Sequence, residues 1–175
     1  MEQKFKTKDL TTTAAFAALV FIMTYFLKVP APNGYTHLGD CMIFLAVLLL
    51  GTRRGALAGG IGAALADALG GYTHYILPTF FIKAIMAVIM GFFTYKVFKD
   101  KSRGWFIGAV IGGAVQIFLY TVIKIPMYDL AYALSRLPGN IIQTFTGIAI
   151  ASVIIAVLDK GGLIIRLRKL ELGVK

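Results

Sequence analysis

The stretch GTRRGALAGGIGAALADALGG, Gly51–Gly71, is where the architecture of this chain is first legible. Gly55, Gly59 and Ala63 recur every fourth residue, and Asp67 and Gly71 continue the same spacing. That spacing keeps all five on one face of an α-helix, where small side chains let neighbouring backbones come close. Arg53 and Arg54 open the segment and Gly70-Gly71 closes it. It therefore reads as a membrane helix whose packing face carries a carboxylate near one end. A charge at such depth is costly, so Asp67 points into protein or a wet cavity rather than lipid.

The rest of the chain agrees with a membrane setting. Of its 175 residues, 58% are hydrophobic, the mean hydropathy is +0.80, and apolar runs approach the ~20 residues of a bilayer crossing. Reading those runs against Gly and Pro breakers predicts an all-α integral membrane protein of six transmembrane helices. They cover about 10–27, 40–50, 55–69, 78–97, 105–123 and 138–158, in one domain spanning 1–175. The first is read as a retained helix, too long for a signal peptide core and closed by Lys28 and the Pro30-Ala31-Pro32-Asn33-Gly34 turn. The stretch Ile125–Leu137 is left as a surface or re-entrant helix. Lys4, Lys6, Lys8, Arg53, Arg54 and the basic residues of 96–103 and 160–175 fall on one side, against Lys28, Lys124 and Arg136 on the other. That bias places both termini in the cytoplasm. It also accounts for the net charge of +10 through topology and anionic lipid, without nucleic acid. The single cysteine, Cys41, excludes an internal disulfide framework and a multi-cysteine metal cluster. No phosphate-binding loop motif occurs, so energy from ATP would come from another chain.

Polar residues gather at the outer end of the expected bundle. Helix 5 repeats the helix 3 pattern, with Gly104, Gly108 and Gly112 giving way to Gln116, Tyr120 and Lys124. Lys83 lies in the first turns of helix 4, and Asn140 and Gln143 open helix 6. His37, Asp40, Tyr72, His74 and Tyr75 lie in the outer loops. The inner halves are apolar, so the pattern suits a pocket open on one side better than a pore. Other roles are open for several of these groups. Asp67 and Lys83 contact a ligand or form a buried pair that fixes helix register. Asn140 and Gln143 bind ligand or bond between helices. Asp40 caps helix 2 or faces the pocket, and the tyrosines stack on a ligand or line the headgroup region. No catalytic constellation and no metal site is expected, and no cofactor.

Three stretches carry a family resemblance: YTHLGD (Tyr35–Asp40), the Gly51–Gly71 segment, and Tyr72–Lys83 with Pro78-Thr79. Together they resemble the substrate-binding S components of energy-coupling factor (ECF) vitamin transporters, in the riboflavin-type and hydroxymethylpyrimidine- or pyridoxine-type subgroup. The likeness covers roughly Ala14 to Gln143. It implies a prokaryotic plasma-membrane protein that captures a vitamin and docks on a T subunit carrying two ATPase subunits. It further implies that Ala14 and Ala18, an A-x-x-x-A pair on helix 1, form the docking surface. The substrate expected from it is hydroxymethylpyrimidine or a pyridoxine-like compound, with riboflavin or pantothenate as the alternative. From a different class, a self-sufficient ion-coupled carrier using Asp67 and Lys83 is the competing reading. An enzyme is not expected.

Overall fold

The computed structural model describes residues 7–31, 34–99 and 103–172. Lys4, Lys6, Lys101 and Lys175 of the basic flanks, the Pro32-Asn33 turn and the Tyr35 side chain lie outside the described residues. Helix α1 (Thr7–Tyr25) leads into a hairpin of β1 (Lys28–Ala31) and β2 (Gly34–His37), then α2 (Gly39–Leu50) and α3 (Thr52–Leu69). A short 3-10 turn, Thr73–Tyr75, precedes α4 (Ile76–Phe92), which continues as a π-helical turn to Val97. Then follow α5 (Gly104–Met127), α6 (Leu130–Ser135), α7 (Leu137–Lys160) and α8 (Leu163–Leu172).

Helix α3 touches α1, α2 and α4. Its small residues are distributed to suit: Gly55 faces Val47 of α2, Gly60 faces Phe80 of α4, and Gly62 faces Ala17 of α1. A Cβ at Gly55 would stand 2.6 Å from the Val47 Cα, so only glycine permits this approach. The fourth side of the helix, Leu57, Ile61, Leu65 and Leu69, is exposed. Helix α2 is buried along almost its whole length, with Ile43, Phe44 and Val47 fully enclosed. A helix apolar all round belongs at the centre of a bundle. It joins α3 through Gly51 alone, at φ +86°, a conformation that glycine adopts at little cost.

The expectation of six transmembrane helices is corrected by this structure. Among the described residues, three helical stretches are long and apolar enough to cross a membrane: Thr73–Val97, Gly104–Met127 and Leu130–Lys160. The reasons lie in the first half of the chain. Helix α1 opens on Lys8, Asp9 and four threonines, and α3 dilutes its apolar content with glycine, two arginines and Asp67. Helix α2 is apolar but has 12 residues, about 18 Å of helix against a hydrocarbon core of about 30 Å. The hairpin was not anticipated either. Lys28↔His37 and Val29↔Thr36 pair where a loop had been expected.

The described chain ends meet at the end of the bundle opposite the hairpin. Arg54, expected at the cytoplasmic start of the Gly51–Gly71 segment, is buried there at 7% exposure. Its guanidinium donates to Asp9 Oδ1 (2.8 Å), Glu171 Oε2 (2.9 Å), the Glu171 carbonyl (2.7 Å) and the Leu50 carbonyl (3.0 Å). Lys8 adds an ion pair to Glu171 at 3.0 Å. Amphipathic α8 is thereby fastened to α1 and to the α2–α3 joint.

Candidate functional site

At the hairpin end the helices part around a cavity of about 210 Å³. Helix α3 supplies Asp67, the following turn Tyr72, His74 and Tyr75, and α4 supplies Thr79. Helix α5 supplies Tyr120 and Lys124, the α6 region Tyr128 and Tyr132, and α7 Asn140 and Gln143, with Arg136 just before it. His37, at the end of β2, completes the wall.

The tyrosines form a connected aromatic wall. Tyr128 stacks on Tyr75 with centroids 6.4 Å apart, and Tyr132 lies 4.4 Å from Tyr128. His74 Nε2 hydrogen-bonds the Tyr128 hydroxyl at 2.9 Å. Asp129 caps α6 by accepting from the Tyr132 amide at 2.6 Å. Tyr120 donates to Thr79 Oγ1 at 3.2 Å.

Two buried polar atoms on the wall have no hydrogen-bond partner among the described residues: Asp67 Oδ2, an acceptor, and Asn140 Nδ2, a donor. Buried polar groups are nearly always satisfied, and leaving one unpaired costs about 1–3 kcal/mol. An acceptor and a donor left open on one cavity are what a hydrogen-bonding ligand would use. His37 accepts from the Gly39 amide at 3.3 Å. Burial first, then the positive charge of Lys83, lowers its pKa from 6.5 to about 4, so the ring is neutral near pH 7.

Beneath the cavity is a separate, closed polar layer. Lys83 forms an ion pair with Asp40, both of them fully buried. Lys83 also donates to Gln116 Oε1 at 2.7 Å. Gln116 Nε2 donates to Asp40 Oδ2 (2.9 Å) and Thr144 Oγ1 (3.1 Å), and Gln143 Nε2 donates to Asp40 Oδ2 at 3.2 Å.

The sequence-predicted site residues therefore divide into two groups. Asp67, Asn140, Gln143, Tyr120, His37, Tyr72, His74 and Tyr75 line the cavity. Asp40, Lys83 and Gln116 do not. The partner of Lys83 is Asp40, not Asp67, and no side-chain cap bond forms at the start of α2. Ala14 and Ala18 are exposed on α1, while Ala17 turns inward. Sequence reasoning left Thr79, Tyr128, Tyr132 and Arg136 out of the site, and Lys124 too, although it continues the polar face of helix 5. The signal was the density of rings and charges in Ile125–Leu137, read there as a surface or re-entrant helix.

Comparison with known proteins agrees with this geometry. The family described as "ECF-type riboflavin transporter, S component" matches residues 4–160. A protein of Pyrococcus woesei, described as an uncharacterized protein in gap 3'region, is 35% identical over 82% of this chain and 95% of its own length. The thiamine precursor transporter HmpT of Lactococcus lactis is 27% identical over 93% of this chain and 94% of its own. A solved structure, reported under the heading "Structure and mechanism of the S component of a bacterial ECF transporter", superposes with a TM-score of 0.67 at 18% identity. The superposition covers 87% of this chain and 96% of that one, and it shows a shared fold. The relatives come from prokaryotes, and this chain is a multi-pass membrane protein. The chain belongs to the S components of ECF-type transporters, non-catalytic membrane subunits that capture a vitamin and work with T and ATPase subunits.

Proposed function

We propose that this chain captures a planar nitrogen-heterocyclic vitamin in the cavity at the hairpin end, with riboflavin as the first candidate. The observation that carries the reading is the pairing of two open hydrogen-bonding atoms, Asp67 Oδ2 and Asn140 Nδ2, with a tyrosine wall on one cavity. Heterocycles present ring N–H and C=O groups at their edge and a flat face for stacking, and this wall offers a match for each. Riboflavin comes first because of the family match. A smaller ring, such as hydroxymethylpyrimidine or a pyridoxine-like compound, is favoured by the cavity of about 210 Å³, below the ~300–1,000 Å³ of pockets for drug-sized ligands. It is supported too by the likeness to a thiamine precursor transporter.

Titration of the detergent-purified chain with riboflavin, hydroxymethylpyrimidine and pyridoxine, read by tyrosine and tryptophan fluorescence, decides between them. Asp67→Asn and Asn140→Ala should each weaken the bound vitamin by about tenfold or more without lowering the stability of the ligand-free protein. Unchanged affinity in both variants would refute the site. On the opposite face of function, Ala14 and Ala18 offer a smooth exposed strip of α1 suited to a helix of the T subunit. Ala14→Trp should abolish co-purification with T and ATPase subunits and leave vitamin affinity intact.

A further inference from the structure

Lys124 stands apart from the other cations of the site. It is 5% exposed, in the last turn of α5, on the cavity wall. Among the described residues its ammonium makes no hydrogen bond and no ion pair. Its contact is with the ring of Tyr120, 5.2 Å from the ammonium. The same ring lies 5.5 Å from Lys83. Lys83, however, is neutralised by Asp40, and Lys124 has no equivalent. The neighbouring charges that act on it, Arg136 and Lys83, are both positive. A buried ammonium without a counter-charge costs several kcal/mol. A lysine this enclosed does not reach past the protein to headgroups, as snorkelling side chains do. A ring face supplies only about 0.5–2 kcal/mol of attraction in return. What would complete the arrangement is an anion inside the cavity.

We propose that Lys124, with Arg136 beside it on the same wall, forms an anion subsite, and that the ligand is a heterocycle bearing a carboxylate or a phosphate ester. The inference rests on the capture of a heterocyclic vitamin proposed above and specifies its chemical form. Asp67 and Asn140 address the ring edge, the tyrosines address its face, and Lys124 addresses the acidic substituent. The subsite then selects the charged form of a vitamin over its neutral parent. Because the ammonium is already desolvated and held against Tyr120, little reorganisation is needed when the anion arrives.

The test compares riboflavin with flavin mononucleotide, and pyridoxine with pyridoxine 5′-phosphate and with 4-pyridoxate, on the purified wild-type chain. The phosphate and carboxylate arms tell which anion the subsite takes. At least one anionic member should bind about tenfold or more tighter than its neutral parent. Lys124→Met should bring the ratio of anionic to neutral affinity to about one, and Lys124→Arg should keep most of the preference. Equal binding of anionic and neutral members by the wild type would overturn the subsite, as would a parallel loss of both in Lys124→Met. Either result leaves capture of a heterocyclic vitamin standing. Absence of binding by all five compounds would remove that reading and the subsite with it.

Discussion

Gln143 of α7 donates a hydrogen bond of 3.2 Å to Asp40 of α2, and so ties the cavity wall to the closed ion-pair layer beneath it. Asp40 in turn is held by Lys83 of α4 and Gln116 of α5. Four helices thus converge on one carboxylate. The layer lies beneath the cavity without lining it.

Removing Lys83 should therefore act on stability before it acts on binding. Lys83→Met leaves Asp40 charged and buried, at a cost of about 3–5 kcal/mol. Adding Asp40→Asn should recover a substantial part of that loss. Thermal unfolding of the single and double variants in detergent measures both. A Lys83→Met protein as stable as wild type but unable to bind vitamin would instead make Lys83 a ligand contact.

At the other end, Glu171 carries the attachment of α8. Burial raises its pKa, but hydrogen bonds from Lys8 and Arg54 outweigh this, so the net shift is downward. A carboxylate with a lowered pKa stabilises the fold above its ordinary range, and that contribution fades as pH falls through the lowered value. Glu171→Gln should lower the unfolding temperature at pH 7, and the difference from wild type should shrink in strong acid. Proteolysis near Gly161-Gly162 offers a second readout, because a released α8 exposes that joint.

His37 also loses stability towards acid, but because its neutral form is favoured rather than its charged one. Its pKa falls from 6.5 to about 4 because burial, and then Lys83, disfavour the imidazolium. The unfolded chain takes up a proton below 6.5 that the folded chain refuses until about 4. Stability is full above that window and declines as pH drops through it. His37→Gln should flatten the decline between these limits in pH-dependent unfolding measurements.

Helix α5 depends on Gly112 for its approach to α4. A Cβ there would lie 2.6 Å from the Met86 carbonyl oxygen, a backbone atom that cannot swing away. Gly112→Val should cost about 1–3 kcal/mol or more through overpacking. It should also lower vitamin affinity, since α5 carries Tyr120 and Lys124 to the cavity.

Helix packing was the part of this molecule most open to sequence reasoning. Glycine and alanine at spacing four have few uses besides close approach, and α3 and α5 use them in that way. The gathering of polar groups at one end was readable for the same reason, since membrane helices carry such groups sparingly. Pairing among them was not. Asp67 and Lys83 lie on consecutive helices, yet Lys83 reaches Asp40, 43 positions away, because α2 is central and presents its first turn to α4 and α5. Nor was crossing capacity legible from apolar runs alone. Helix α2 is short and apolar because it is wrapped by other helices, a condition that periodicity cannot separate from exposure to lipid. The hairpin escaped for a local reason: Pro30, Pro32 and Gly34 suggested a turn, and the strands on either side are only four residues each.

The knot of Asp9, Arg54 and Glu171 has a consequence for biogenesis. Helix α8 leaves the ribosome after every other helix described, while Arg54 is placed as soon as α2 and α3 meet. Until Glu171 arrives, that guanidinium has Asp9 as its carboxylate partner and the α8 side of the bundle is uncovered. Docking of α8 thus supplies the second carboxylate of the knot. A nascent chain that stalls before it would present a half-compensated buried charge, a defect that membrane quality-control proteases are suited to detect.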